Sequence, residues 1–481
     1  MHVEYDRLFI GGDWVAPSSA SRIDVTSAST EEPIGRVPGA REEDVGAAVN
    51  VARRAFDDPA GWSGWQAGER AAAMERLADE LVARSEETVR RVSSQNGMPV
   101  SIGEQSEALF PSLLLGYYAT LIQEQPGEER RPAFVAGTTV VRRDPVGVVA
   151  AVVPWNFPQS LSFFKIAPAL AAGCTVVLKP APETVLDAFV IAEAAEAAGL
   201  PPGVINIVPG DREVGAALVA HPGVDKVSFT GSTAAGRAIG EVCGRLLRPV
   251  TLELGGKSAA IVLDDADLPS RFESLFQATL MNSGQTCYVG TRILAPRNRY
   301  DSVVEALTAM VRALKLGDPL DPATELGPLV SERQRDRVEA YISAGRSEGA
   351  RLVSGGKRPA EFDRGWYVEP TVFADVDNDS TIAREEIFGP VLSVIPYSTV
   401  DEAVAIANDS EYGLGGSVWS ADPERAESVA ARVQTGSIGI NNYMLDPGAP
   451  FGGVKASGIG RELGPEGLEA NQVTKSIYLE P

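Results

Sequence analysis

The sequence is short of histidine and cysteine. Its 481 residues include two histidines, His2 and His221, and three cysteines, Cys174, Cys243 and Cys287. Three scattered thiols with no CxxC pair make neither a disulfide framework nor a zinc site, and no metal is expected; they fit a reducing, cytoplasmic setting. A Ser-His or Cys-His couple would have to use one of the two histidines. His221 falls in a helix-ending loop between Ala220 and Pro222, so proton transfer is expected to fall to a carboxylate. Long apolar runs are missing too: nothing reaches the roughly 18 residues of a membrane span, and the start MHVEYDRLFIGG lacks the basic and apolar regions of a signal peptide. Positive charge is scarce, 43 Lys and Arg against 65 Asp and Glu for a net charge of −22. Such a field repels a phosphate backbone and argues against a nucleic-acid partner.

Apolar residues make up 44% and charged residues 22%, the profile of a globular protein, and the length predicts two or three domains. LFIGGDWV (8–15) reads as a hairpin. Val45, Val49, Ala52 and Phe56 mark one helix; Met74, Leu77 and Leu81 mark another, ending near Gly97. A third helix is predicted over 107–123, with Leu109, Leu113 and Tyr117 on one face and Pro111 as a kink or start. The polar stretch 124–131 reads as a boundary or protruding arm.

From Gly147 the pattern becomes regular. Apolar strands GVVAAVV, CTVVLK, 204–208, 226–229 and 250–254 alternate with helices over 159–172, 183–199, 212–220 and 232–245. That predicts an α/β fold with a doubly wound parallel sheet of the nucleotide-binding kind. Beyond Ala260, helices over 300–314 and 331–348 and strands over 391–396 and 437–441 predict a second α/β domain. TKSIYL (474–479) reads as an edge strand, free to pair with its own sheet or with another chain.

Cys287 lies in MNSGQTCYVGT, where an apolar helix face (Phe272, Leu275, Phe276, Thr279, Leu280) runs into a short polar turn before a strand over 289–294; Gly284 allows a close backbone approach there. A lone cysteine is equally at home in a core. VPWNFP sets Asn156 at the end of an apolar strand, where open α/β sheets bind ligands. FTGS places Gly231 and Ser232 at a helix N-terminus suited to phosphate or to simple capping. LELGGKS puts Glu253 at a strand end, as a general base of raised pKa or a surface carboxylate.

VPWNFP, KPAPET, FTGS, LELGGKS, GQTC, EEIFGPV and PFGGVKASGIGRE, in this order, resemble the aldehyde dehydrogenase superfamily over essentially the whole chain. The resemblance implies that Cys287 is the nucleophile, that Asn156 and the Cys287 backbone N–H hold the oxyanion, and that Glu253 activates the water that hydrolyses the thioester. Lys165 matches a buried lysine that serves a proton relay or a structural ion pair. On the cofactor side, Lys179 matches the adenosine-ribose ligand, Trp155 and Ser232 the pyrophosphate contacts, Glu386 the nicotinamide-ribose ligand and Phe388 its neighbour. Val153, Pro154, Gly215, Phe229, Gly231 and Leu254 complete the expected cofactor-binding set. NAD is the expected cofactor. Pro182 stands where many NAD-preferring members carry Glu, with Glu183 following, which leaves NADP open.

The substrate tunnel is expected at Phe157, Leu161, Phe164, Tyr288, Leu445 and Phe451, suited to a hydrophobic aldehyde, with Asp446 the one charge beside it. The implied organisation is a dinucleotide-binding domain (1–126 and 146–257), a catalytic domain (258–470) and a small β arm (127–145 and 471–481) through which a homodimer or homotetramer forms. A Cys287-dependent esterase, or a non-catalytic protein on the same scaffold, are the competing readings.

Overall fold

The computed structural model describes residues 2–480. Its first large sheet has a parallel centre in the order Val250–Glu253, Lys226–Thr230, Val148–Val152, Thr175–Lys179, Ile205–Ile207. Strand Gly458–Ile459 adds antiparallel at one edge, and the hairpin of Leu8–Ile10 and Asp13–Val15 at the other. Chain order runs outward from Val148–Val152 in both directions, so the sheet switches topology between that strand and Lys226–Thr230. Open α/β sheets bind ligands in the crevice beyond the carboxyl ends of such neighbouring strands. Asn156, Gly231, Glu253 and Lys179 all follow or end these strands.

A second sheet of seven strands, parallel except for the edge strand Arg351–Ser354, has Arg292–Pro296, Ala259–Val262 and Gly416–Trp419 at its middle. One apolar core runs continuously beneath both sheets, from Val149, Phe163 and Leu178 to Ala260, Ile293 and Leu392, with Cys287 at its margin. The reach of Gly458–Ile459 back to the first sheet, followed by helix Gly464–Glu469 against helix Pro158–Ala172, ties the two halves together. Strands Glu128–Pro132, Thr138–Pro145 and Gln472–Leu479 form a separate three-stranded sheet, so the tail pairs in its own chain and is an edge strand among the described residues.

Several boundaries differ from those read in the sequence. The helix ending at Gly97 is two helices, Ala67–Ala83 and Ser85–Asn96, and Gly97 caps the second in the left-handed region (φ 81°). The span 183–199 is a short turn at Pro182–Thr184 followed by helix Ala188–Ala197. The third helix starts earlier, passing through a π-helical stretch Glu104–Leu109 into Phe110–Glu124. Its inward face is Leu114, Leu115, Tyr118 and Ile122, whereas Leu109 and Leu113 are half exposed. That helix is apolar on nearly every side, so spacing alone does not select a face. Among the described residues no helix is long and apolar enough to cross a membrane, and no cluster of His, Cys, Asp or Glu could hold a metal ion.

Candidate active site

Cys287 is placed by backbone that few sequences adopt. Helix Phe272–Thr279 ends, and Asn282 (φ 54°), Ser283 (φ 56°) and Gly284 (φ 72°) then follow in the left-handed region, a costly run for residues with side chains. Gly284 has no alternative, because a Cβ there would fall 2.2 Å from the Gly389 carbonyl oxygen. The reversal carries Gln285 towards the loop after Val148–Val152. There the Asn156 side chain donates through Nδ2 to the Gln285 carbonyl (3.0 Å). An amide nitrogen has two N–H donors, and this bond uses one.

The Asn156 loop is itself clamped. Asn96 Nδ2 donates to the carbonyls of Trp155 (3.1 Å) and Asn156 (3.2 Å), and Asn282 Nδ2 donates to the Asn156 carbonyl (3.0 Å). Asn96 and Asn282 drew no attention in the sequence, since nothing local marks an amide as an anchor for a loop about 60 or 126 residues away.

Glu253 is buried at the end of its strand and neither carboxylate oxygen has a hydrogen-bond partner among the described residues. Burial, and secondarily the negative charge of Glu462, hold its pKa well above the ordinary value; Lys165 and Arg461 oppose this. Lys165 lies in a pair: its Nζ donates to Glu462 Oε1 (2.8 Å) and to Thr230 Oγ1 (2.7 Å), while Ser228 Oγ donates to the same Glu462 oxygen (2.9 Å). The Cys287 thiol is likewise pushed up, by burial first and then by the charges of Glu386 and Glu253. His221, by contrast, spends Nδ1 accepting from the Gly223 N–H, away from this group.

At the neighbouring strand ends lie groups able to hold a dinucleotide. Val153 N donates to the Lys179 carbonyl (3.2 Å), and Gly231 N to the Glu253 carbonyl (3.0 Å), fixing the ends of the strands side by side. Helix Thr233–Arg245 presents its N-terminus there with Ser232 as cap, its Oγ accepting from Ala235 N, and Phe229 and Leu254 pack beneath it. Lys179, with Gly215 beside its stem, is buried, and burial lowers its pKa to about 8 against the pull of Glu183 and Asp211. Pro154 leads into Trp155, whose ring meets Phe388 edge-on at 5.2 Å. Glu386 accepts from Gly256 N (3.0 Å), and burial raises its pKa to about 7. A cation, a helix N-terminus and a carboxylate along one line of strand ends suit a ribose–pyrophosphate–ribose chain.

A cavity of about 350 Å³ opens beside the second sheet, lined by Tyr443, Met444, Leu445, Asp446, Phe451 and their neighbours. Ring contacts run from Phe110 to Phe164 (5.7 Å), Phe451 (6.2 Å), Tyr288 (6.1 Å) and Tyr443 (4.8 Å). Of the expected tunnel residues, Leu445 and Phe451 line this cavity, Phe164 and Tyr288 back it, and Phe157 and Leu161 lie buried in the adjoining core. Phe110 and Tyr443 join them without having been expected.

A doubly wound sheet whose switch point lies beside a cysteine and a buried carboxylate without a partner among the described residues fits a cofactor-dependent enzyme. The chain belongs to the aldehyde dehydrogenase family, whose model matches residues 14–477. It is 58% identical to geranial dehydrogenase of Castellaniella defragrans, over 100% of both chains. Among solved structures, it is similar to a Mycobacterium tuberculosis aldehyde dehydrogenase complexed with NAD+ (TM-score 0.97, 49% identity, 100% of this chain and 99% of that one). It is also similar to a cysteine-to-alanine mutant of Pseudomonas syringae aldehyde dehydrogenase C in complex with NAD+ and octanal (TM-score 0.94, 41% identity, 98% and 96%).

Proposed function

We propose that this protein oxidises an apolar aldehyde, of the size of geranial or octanal, to its carboxylic acid with NAD+. The observation that carries the reading is the meeting of Cys287, Asn156 and an unpaired, buried Glu253 at the switch point of the sheet. Glu253 takes the Cys287 proton, and the thiolate attacks the aldehyde carbon to give a thiohemiacetal. The developing oxyanion is held by the Cys287 N–H and by the Asn156 N–H that Gln285 leaves free. NAD+, when bound, supplies the two-electron acceptor for the hydride. Once Glu253 has passed that first proton to solvent, it removes a proton from water as the water attacks the thioester; the acid leaves, and the proton returns to the thiolate to restore the thiol. Lys165 acts on Glu253 through its charge and through Glu462.

Lys179 holds the adenosine ribose, Ser232, Trp155 and the helix N-terminus the pyrophosphate, and Glu386 the nicotinamide ribose, with Phe388 beside the ring. Glu183 acts on Lys179 from one residue beyond the expected position, and its charge disfavours a 2′-phosphate. The aromatic wall from Phe164 to Tyr443 beside the cavity favours a hydrocarbon tail, as do the named substrate of the 58% identical relative and the octanal bound by the other. The domain limits given above, and assembly into a homodimer or homotetramer in the cytoplasm, belong to the same reading. The edge strand Gln472–Leu479, with Tyr478 and nearby Phe134 and Val135 exposed, supports the assembly. The test is growth of reduced-nicotinamide absorbance with aliphatic, aromatic, dicarboxylate-derived and amino aldehydes, each with NAD and with NADP. Apolar aldehydes with NAD should give the largest kcat/KM; a flat response to them overturns the substrate class.

A further inference from the structure

Helix Pro158–Ala172, which starts two residues after Asn156, has no cap of its own. Phe157 at the N-cap position offers no side-chain acceptor and Pro158 has no N–H, so the first donor of the helix is the Gln159 N–H. Its acceptor comes from 52 residues away: Glu107 Oε2, at 2.8 Å. Glu107 stands in the π-helical stretch Glu104–Leu109, a helical form that is rare and concentrated at functional sites. One residue earlier, the Ser106 carbonyl accepts from Ser160 Oγ in the same first turn of the helix.

The side chain of Gln159 is held as well. Its Nε2 donates to the Asp187 carbonyl (2.7 Å) and to Asp187 Oδ2 (2.9 Å), and Asp187 Oδ1 accepts from Gln95 Nε2 (3.1 Å). Gln95 adjoins Asn96, whose Nδ2 holds the carbonyls of Trp155 and Asn156. One buried polar network therefore grips the turn from Trp155 to Gln159 at both ends.

The network works against stability. Glu107 is 1% exposed and its Oε1 has no partner among the described residues; burial lifts its pKa to about 8, with the Asp187 charge adding to this and the Gln159 N–H opposing it. Asp187 is buried too. A serine or aspartate at 157 would cap the helix without burying a carboxyl group, but that position carries an aromatic ring of the core. Two carboxyl groups buried to hold one residue of a turn serve the placing of that turn.

We propose that Glu107 and Asp187 are positioning residues for the oxyanion donor: through Gln159 they fix the turn that carries Asn156, and so the direction of its free N–H. The proposal rests on the reading of Asn156 as that donor. A displacement of about 1 Å at a reacting centre forfeits on the order of 10²-fold in rate, so a slack turn shows in turnover.

Two variants of the full chain separate reach from charge. Glu107→Gln keeps an acceptor at the same distance, whereas Glu107→Asp keeps the carboxylate and withdraws it by one methylene. With NAD and an aldehyde that the wild type oxidises, kcat/KM should stay within about threefold in the first and fall by about ten- to a hundredfold in the second. A cycle with Asn156→Ala separates positioning from general damage. Asn156→Ala alone should lose about 10²- to 10³-fold, and Glu107→Asp should lose nothing further in that background. If Glu107→Asp does not fold, Gln159→Met, which cuts both bonds to Asp187, goes through the same cycle with the same expectation. A loss that persists undiminished beside Asn156→Ala, or a fall in Glu107→Gln as large as in Glu107→Asp, overturns the proposal. If Asn156→Ala alone keeps the wild-type kcat/KM, the oxyanion reading fails and the proposal falls with it; the single variant tells that outcome apart from failure of the cycle.

Discussion

Glu253 and Glu462 are two carboxylates buried in one electrostatic neighbourhood, and the fold treats them in opposite ways. Glu462 is paired through Oε1 with Lys165 and Ser228, while its Oε2 has no partner among the described residues. Among the described residues the Glu253 carboxylate accepts from no donor, and Glu462 makes its ionisation harder still. Burying a carboxylate without donors costs stability, so a protein built for stability alone would have supplied them to Glu253 as it did to Glu462. The difference supports the proposed division of labour: the paired group sets the potential, and the one whose carboxylate is unpaired among the described residues is kept proton-hungry when ionised.

The largest effect that sharpens this contrast comes from the group Glu253 serves. Cys287→Ala should lower aldehyde oxidation by roughly 10⁴-fold or more while NAD binding, followed by titration, stays near wild type. Next, Glu253→Gln should slow turnover by about 10²- to 10³-fold, with a rapid burst of reduced cofactor followed by slow hydrolysis, because the thioester then waits for an unassisted water. The sign of the pH dependence follows from the raised pKa. In the proposed mechanism Glu253 works as the anion, which the folded site disfavours at low pH, so wild-type kcat should climb as pH rises through the folded-state pKa and then level off. The Gln variant should lose that limb. A limb that survives in Glu253→Gln would assign the titration to another group.

The paired side gives a smaller and directional effect. Glu462→Gln removes a negative charge and leaves Lys165 unopposed, both of which favour ionised Glu253; the rising limb should move to lower pH. Lys165→Met leaves Glu462 unopposed, so the limb should move to higher pH, with about 3 kcal/mol or more of lost stability for a broken buried pair. Neutral-pH rates should change by about tenfold per unit of displacement. Limbs that move in the same direction in both variants would break the comparison between the two carboxylates.

Much of this site was legible in the chain. Strand ends in an α/β alternation locate the crevice, and Asn156, Glu253 and Cys287 sit in motifs whose order is distinctive. What could not be read was pairing at a distance. Glu462 stands in plain view in PFGGVKASGIGRE, but its bond to Lys165 crosses 297 residues, and only the return of Gly458–Ile459 to the first sheet brings them together. The left-handed run at Asn282 and Ser283 was hidden because neither residue is the glycine that usually announces it. Strand Ala259–Val262, central to the second sheet, was missed as a four-residue run continuing directly from LELGGKS. The helix 110–124 was found with the wrong face, for want of a polar side to orient it.

A third carboxylate extends the comparison to the surface, where a pair is worth least. Glu183 meets Arg333 at 3.1 Å, and the Arg333 side chain is largely exposed, so the bond itself adds little to stability. Its position matters more: Glu183 and Asp211 are the carboxylates that act on Lys179, and Glu183 holds Arg333 in check. Glu183→Gln removes a negative charge from the edge of the proposed ribose site and releases a guanidinium suited to phosphate. Thermal stability should stay within about 0.5 kcal/mol of wild type, while kcat/KM with NADP relative to NAD should rise several-fold, the smallest effect of the series. Adding Arg333→Ala should take back part of that gain, since the repulsion is gone in both variants but the guanidinium only in the second. If the ratio does not move in either, the adenosine ribose lies out of reach of Glu183, and Pro182 in place of an acid must be answered by some other group.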